Sequence, residues 1–329
     1  DEDFESLSTA VSLAADGPLE ATIIVNVTGD LLAEADEQFT VEISEVTGAT
    51  VTQGIGIGTI VNDDSFDPVK VSDVRLGSSA WIPEFIADID PTLEQGYALP
   101  KGEDQLKTAP WTNIDRIYVR FTSDVGDSFS SSRISLAGVN VEDYGPLITD
   151  VTFDVDSRIG IISLSESIGN DKLLLGIDDQ LIGANGIALD GEWVNGVTPG
   201  DSGDGSAGGD FLFRFNVLPG DVDQDGANAG GGVAGLDVGA LLLGFFESIG
   251  SPSYNRSANL DGDIGIAGID LGFLLGAFFT ELPAGEPGDG GVPAVAATTS
   301  EANDEVFAAL SDDPWSLLED DIVSDDEDV

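Results

Sequence analysis

The chain has 329 residues, 41% of them apolar, and carries 62 acidic against 11 basic side chains, a formal charge of −51 at pH 7. That length suggests two or three domains, the charge argues against nucleic acid, which is bound through Lys and Arg displacing counterions, and no apolar run reaches the roughly 18 residues of a membrane span. With no His and no Cys there can be no Ser–His triad, thiol nucleophile or zinc–thiolate site.

Ten of the eleven bases lie between Lys70 and Arg214, which leaves both flanks almost purely acidic. Unpaired acids repel one another and destabilise a compact state unless divalent cations neutralise them. Calcium is plentiful outside cells, so the pattern predicts an extracellular or cell-surface location. The chain contains no Met and shows no signal peptide, as expected of a mature or truncated C-terminal piece of something longer.

From Asp1 to Asp64 the sequence alternates like a strand protein. Ala21–Thr28, Phe39–Ser44 and Gly56–Val61 put every second apolar side chain on one face. With GDLLAEADEQF (Gly29–Phe39) and the terminal VNDD (Val61–Asp64), the segment resembles the C-terminal part of a Calx-β domain, a β-sandwich of exchangers and secreted bacterial proteins. The first strands of such a domain are missing, so an open sheet edge is expected. The resemblance implies calcium ligands at one end of the sandwich: Asp3, Asp30, Glu34, Glu37, Asp63 and Asp64. The plainer alternative is a solvated acidic loop end that keeps the fold and not the ion.

A second β pattern runs from Ser65 to Pro219. Asp115–Thr122 places Ile117, Val119 and Phe121 on one face and Arg116, Tyr118 and Arg120 on the other. Ser132–Val139, Val151–Val155, Ile159–Leu164, Lys172–Ile177 and Phe211–Val217 follow between Gly/Asn/Asp turns, which predicts a sandwich. The stretch from VSDVRLGSSAW through LDGEW to GGDFLFRFNVLPGD resembles the Ig-like module that precedes the dockerin in some large secreted bacterial proteins. Trp81, Trp111 and Trp193 would stack on sugar rings if exposed; as isolated tryptophans in a sandwich they read first as core or turn anchors. A polysaccharide partner therefore stays a minor expectation. The acidic loop Gly200–Asp210 could gather a cation, but its spacing is irregular and it reads first as a flexible hairpin connection. No pair of carboxylates stands out for glycosidase work, and the chain is expected to be non-catalytic.

Gly220 to Phe279 says the same thing twice. Asp221, Asp223 and Asp225, then Asn259, Asp261 and Asp263, put side-chain oxygens on alternate residues, and a further carboxylate, Asp237 or Asp270, heads an apolar run. Oxygens at positions 1, 3, 5 and 12 of a loop suit a hard cation that takes six to eight of them. The pair resembles a type I dockerin, the duplicated calcium loop–helix module that docks on cohesin domains. That resemblance implies Ca²⁺ as the bound ion and a cohesin-like domain or another extracellular protein as partner.

Both loops depart from the pattern. Asn228–Gly232 is inserted in the first, so Asp237 arrives five residues late; a glycine-rich bulge absorbs such an insertion at little cost in closure entropy. In the second, position 6 is Ile264 where a sharp turn calls for Gly, so the loop is either strained there or turns at Gly265. Two sites of unequal affinity follow, in an order the sequence leaves open. Behind the loops, Leu241, Leu242, Phe245 and Phe246 are expected to pack mostly against Phe273, Leu274, Phe278 and Phe279. Gly239, Gly244, Gly272 and Gly276 weaken both helices, so calcium would supply much of their order.

From Thr280 the chain reads as a Pro/Gly/Ala linker and then an acidic tail, a solvating segment by default and a docking motif (Glu305–Leu310, Pro314–Asp320) as the second option. The expected whole is multidomain and mainly β: a partial Calx-β sandwich (1–65), an Ig-like β-sandwich (66–218), a small α dockerin (219–282), and a linker with a disordered acidic tail (283–329). Its expected role is calcium-dependent protein–protein interaction and scaffolding. A calcium-stiffened adhesin stalk, or the accessory region of a secreted polysaccharide-degrading enzyme, are the alternatives.

Overall fold

The computed structural model describes residues 4–14, 17, 20–29, 34–63 and 67–288. The tail and its two apolar clusters lie outside the described residues, as do Asp3, Asp30 and Asp64.

The N-terminal segment forms one antiparallel pair, β1 (Glu37–Glu42) with β2 (Ile55–Ile60). Ala21–Thr28, expected as a strand, contributes only an isolated bridge between Val27 and Phe4. None of the described residues from 4 to 63 is buried, and Ile24 and Ile57 are 73% and 68% exposed. Two strands cannot enclose a core; a third strand or a covering helix is needed. Among the described residues, the expected partial sandwich amounts to a two-stranded ribbon.

The next 150 or so residues supply nine strands in two sheets. One sheet has the order β5 (Thr108–Ala109), β11 (Phe211–Val217), β10 (Asp171–Ile177), β7 (Ile134–Gly138). The other runs β4 (Tyr97–Ala98), β3 (Val71–Gly77), β6 (Arg116–Phe121), β9 (Ile159–Leu164), β8 (Ile148–Asp154). All pairings are antiparallel except β5 with β11. The period-2 pattern decides which side chains face inward: Ile117, Val119 and Phe121 of β6 are at most 2% exposed, while Arg116, Tyr118 and Arg120 point outward. Across the core stand Leu173, Leu175 and Ile177 of β10 and Phe211, Phe213 and Phe215 of β11, all buried. Each such side chain contributes roughly 1.5–3 kcal/mol by leaving water.

Helix α1 (Pro83–Ile89), started by proline at its first position, buries Phe85 and Ile89 at one end of this core. There Trp81 meets Phe85 edge-on at 5.2 Å and Trp111 at 5.9 Å. Trp81 and Trp111 are 4% and 0% exposed, so neither ring is open to a sugar. Trp193 packs on Phe211 and Phe213 and donates its indole N–H to Gln105.

A second, smaller core follows: Leu218, Val222, Val233, Leu241, Ala258, Leu260, Ile266 and Leu274. It joins α2 (Gly235–Leu243) and α3 (Gly268–Gly276) to the loops in front of them. No helix among the described residues is long and apolar enough to cross a membrane.

Candidate metal centre

In the first loop the backbone folds the acids inward. Asp221, fully buried, accepts the amides of Gly226 at 2.9 Å and Asp225 at 3.2 Å. The inserted segment makes its own turn, with Asn228 N–H on the Asp225 carbonyl at 2.7 Å and Gly231 N–H on the Asn228 carbonyl at 2.9 Å. The bulge is exposed from Ala227 to Gly230, and the chain returns at the buried Val233. Asp237 then sits in the first turn of α2, where its carboxylate accepts the Ala234 amide at 2.7 Å and reaches back to the Asp223 amide at 3.2 Å. One oxygen each of Asp221, Asp223 and Asp237 thus come within 4.8 Å of one another. The five-residue displacement read from the sequence is absorbed outside the site.

Like charges gathered this closely resist ionisation. Burial, then repulsion from Asp237 and Asp225, pushes the Asp223 carboxyl up to about 6. Burial also raises Asp221 above the usual carboxylate range, against hydrogen bonds from Thr108 and Gly226. The one base of this unit, Arg256, lies instead 3.5 Å from Asp88 beside the sandwich. Hard oxygens, net negative charge and no protein cation fit a divalent ion such as Ca²⁺. Asp225 contributes differently: its carboxylate accepts the Gly232 amide at 3.0 Å and closes the bulge.

The second loop follows the same plan with a neutral first position. Asn259, fully buried, accepts the Asp263 amide at 3.2 Å and donates to the Tyr254 hydroxyl at 2.9 Å and the Asp263 carbonyl at 2.8 Å. Asp270, also buried, accepts the amides of Leu260 and Ala267, each at 2.7 Å. Burial raises the pKa of Asp261 and of Asp270. The acids of this loop do not converge as the first set does. Neither strain at Ile264 nor a left-handed turn at Gly265 is found, because the left-handed residue in both loops is the fourth: Gln224 at φ 59° and Gly262 at φ 71°. Gly265 is needed for space, since a Cβ there would lie 2.6 Å from the Glu247 carbonyl.

Each copy is closed by the other. Val233 N–H donates to the Thr280 carbonyl (3.0 Å) and Phe279 N–H to the Val233 carbonyl (2.8 Å); at the equivalent positions Ile266 donates to Glu247 (2.9 Å) and Phe246 to Ile266 (2.8 Å). The helices bury only half of the apolar face expected of them, Phe245 and Phe278 packing on the small core beside Leu241 and Leu274 while Leu242, Phe246, Phe273 and Phe279 stay exposed. Only Leu241 and Leu274 are fully buried, whereas Leu242, Phe246, Leu275 and Phe279 are 50%, 81%, 54% and 83% exposed. Each helix spans nine residues, two and a half turns. The two phenylalanines follow at φ 70° and 67°, a left-handed turn that carries their rings away from the neighbouring helix. Two equivalent sets of apolar side chains, with Leu236 and Ile269 among them, are thereby left on the surface.

The stretch Thr108–Thr112 of the sandwich runs along both loops, a contact no periodicity foretold. The Thr108 hydroxyl donates to the Asp221 carboxylate, and Gln224 Nε2 to the Thr108 carbonyl at 3.0 Å. Thr112 donates twice to the Leu260 carbonyl, at 2.8 and 2.9 Å, and the Trp111 indole N–H to the Arg256 carbonyl at 3.0 Å. Trp81 lies against Gly262, where a Cβ would come within 2.2 Å of its ring. Beyond α3 the chain returns to the sandwich, with Asn170 donating to the Glu281 carbonyl at 2.8 Å, and Lys172 and Arg214 both pairing with Glu286.

Of the N-terminal acids, Glu34, Glu37 and Asp63 are described, and among the described residues no convergent acidic group includes them. Two other acidic groups converge, each built on one acid of the loop Gly200–Asp210 with partners the sequence did not single out: Asp210 with Asp178 and Asp179, and Asp204 with Asp190 and Glu192. Both already face a base, Arg133 at 3.9 Å from Asp178 and Lys70 at 3.0 Å from Asp190. Neither the protein-family models nor the curated proteins gave a match to this chain.

Proposed function

We propose that this region is a non-catalytic, calcium-dependent protein–protein interaction and scaffolding unit of the dockerin–cohesin type, joined to an Ig-like sandwich in an extracellular or cell-surface protein. The observation that carries the reading is the first loop. Asp221, Asp223 and Asp237 converge within 4.8 Å, with no base between them and two of the three buried. When bound there, Ca²⁺ would offset that repulsion and fix the loops from which α2 and α3 start. The chain's own residues do the rest: Asp237 and Asp270 hold the first turn of each helix, and the paired crossings at Val233 and Ile266 lock one copy to the other. The surface they hold in place is apolar, as a docking partner requires. The first loop is the tighter site, since Asn259 brings no charge to the second.

The test is a calorimetric calcium titration of the whole chain, paired with capture on an immobilised cohesin domain in millimolar Ca²⁺ and in EDTA. Calcium uptake with calcium-dependent capture supports the reading. Uptake without capture favours a calcium-stiffened stalk. Absence of uptake overturns both.

A further inference from the structure

The loop acids differ from other buried acids of the chain in what satisfies them. In the sandwich, Asp190 is paired with Lys70 at 3.0 Å. Asp171 is enclosed by the amides of Val139, Asn140, Val141 and Lys172 and by the Tyr144 hydroxyl. Asp221 meets no base. Its Oδ2 accepts the Thr108 hydroxyl and the Gly226 amide, while Oδ1 accepts only the Asp225 amide. An ionised carboxylate has about four lone-pair sites. Oδ2 is thus filled by the protein, and Oδ1 keeps capacity for a ligand.

Thr108 does not belong to the loop, which starts more than a hundred residues later. It is held on the sandwich as part of β5, paired with Asn216 of β11, whose side-chain amide donates to the Leu106 carbonyl at 2.6 Å. Its side chain is buried, and its methyl lies 3.1 Å from where a Cβ on residue 226 would sit. That same Cβ would lie 2.5 Å from Asp221 Oδ2. The glycine at loop position 6 is therefore required by the close approach of Asp221 Oδ2 and of the Leu218 side chain, 2.6 Å from that Cβ, with the Thr108 methyl just beyond them and no positive φ involved. A rigid donor on a neighbouring module that orients a ligand carboxylate is the arrangement by which outer groups tune a metal site.

We infer that the β-sandwich completes the first calcium loop, with Thr108 as a positioning residue that orients Asp221 so that Oδ1 faces the ion. Calcium affinity is then a property of the sandwich and the loop–helix unit together. This rests on the calcium reading above.

The test uses the whole chain carrying Asp261→Ala, which takes a ligand oxygen out of the second loop, so that calorimetry reports the first. Against this parent, Thr108→Val, which keeps the shape and removes the hydroxyl, should raise the dissociation constant for Ca²⁺ about tenfold. Thr108→Ser, which keeps the hydroxyl, should stay within about twofold of the parent, as a positioning role demands. Equal binding by Thr108→Val and the parent overturns the inference. So does a tenfold loss in Thr108→Ser, a result that counts even if the valine variant does not fold. If the parent takes up no calcium, it is the calcium reading that has failed, and this outcome is distinct from the other two.

Discussion

Gly262 and Gly272 are both glycines of the second repeat, and alanine at the two should act in opposite directions. Gly262 sits at φ 71°, and a Cβ there would come within 2.2 Å of the buried Trp81 ring. Left-handed backbone costs an ordinary residue about 1–2 kcal/mol, and forcing a methyl into a packed site about 1–3 kcal/mol. Gly262→Ala should therefore destabilise by about 2–5 kcal/mol, and it should part the loop from the sandwich. Gly272 lies inside α3 with no atom within 4 Å of a built Cβ. There alanine removes only the conformational freedom of glycine, so Gly272→Ala should stabilise by about 1 kcal/mol. Urea unfolding of the whole chain in excess Ca²⁺, followed by tryptophan fluorescence and by far-UV circular dichroism, measures both. A Gly262→Ala variant as stable as wild type would refute the docking of Trp81 on the loop, and with it the reasoning from close approach.

Asp223→Asn removes one charge from the acidic triad, so it should raise the melting temperature in EDTA and lower the gain from adding calcium; scanning calorimetry in both buffers reads the pair. Phe246→Gly and Phe279→Gly replace exposed left-handed residues; each should leave the fold as stable or up to about 1 kcal/mol more so, while capture by a cohesin domain falls. Asp90 supplies a pH signature in the sandwich. Burial by itself would raise its pKa, but the amides of Gln95 and Leu93, the Thr92 hydroxyl and Arg75 outweigh it and hold the carboxyl below its usual value. A depressed acid stabilises the fold above its unfolded pKa of about 4 and loses that contribution as pH falls through the folded value. Asp90→Asn should accordingly flatten the acid limb of a stability curve measured by urea titration from about pH 5 to about pH 2.

The sequence by itself determined the local things. Alternation marked β6 and the face it buries, because a strand carries its two faces in every second residue, and apolar runs between turn residues marked β9, β10 and β11. The duplicated rows of oxygens marked both loops, and the bulge of Asn228–Gly232 followed from its glycines. Tertiary structure decided the rest. Ala21–Thr28 alternates as well as any strand, yet among the described residues it finds only a single bridge to Phe4, since pairing depends on a neighbour that pattern cannot supply. Phe245, Phe246, Phe278 and Phe279 are equally apolar in composition; the turn that ends each helix alone sends Phe246 and Phe279 outward. Thr108, Trp81 and Trp111 carry no signal linking them to loops a hundred and more residues away. Contacts at that separation are set by how one folded unit settles on another, a matter of shape and of which polar groups still need partners. No spacing along the chain records it.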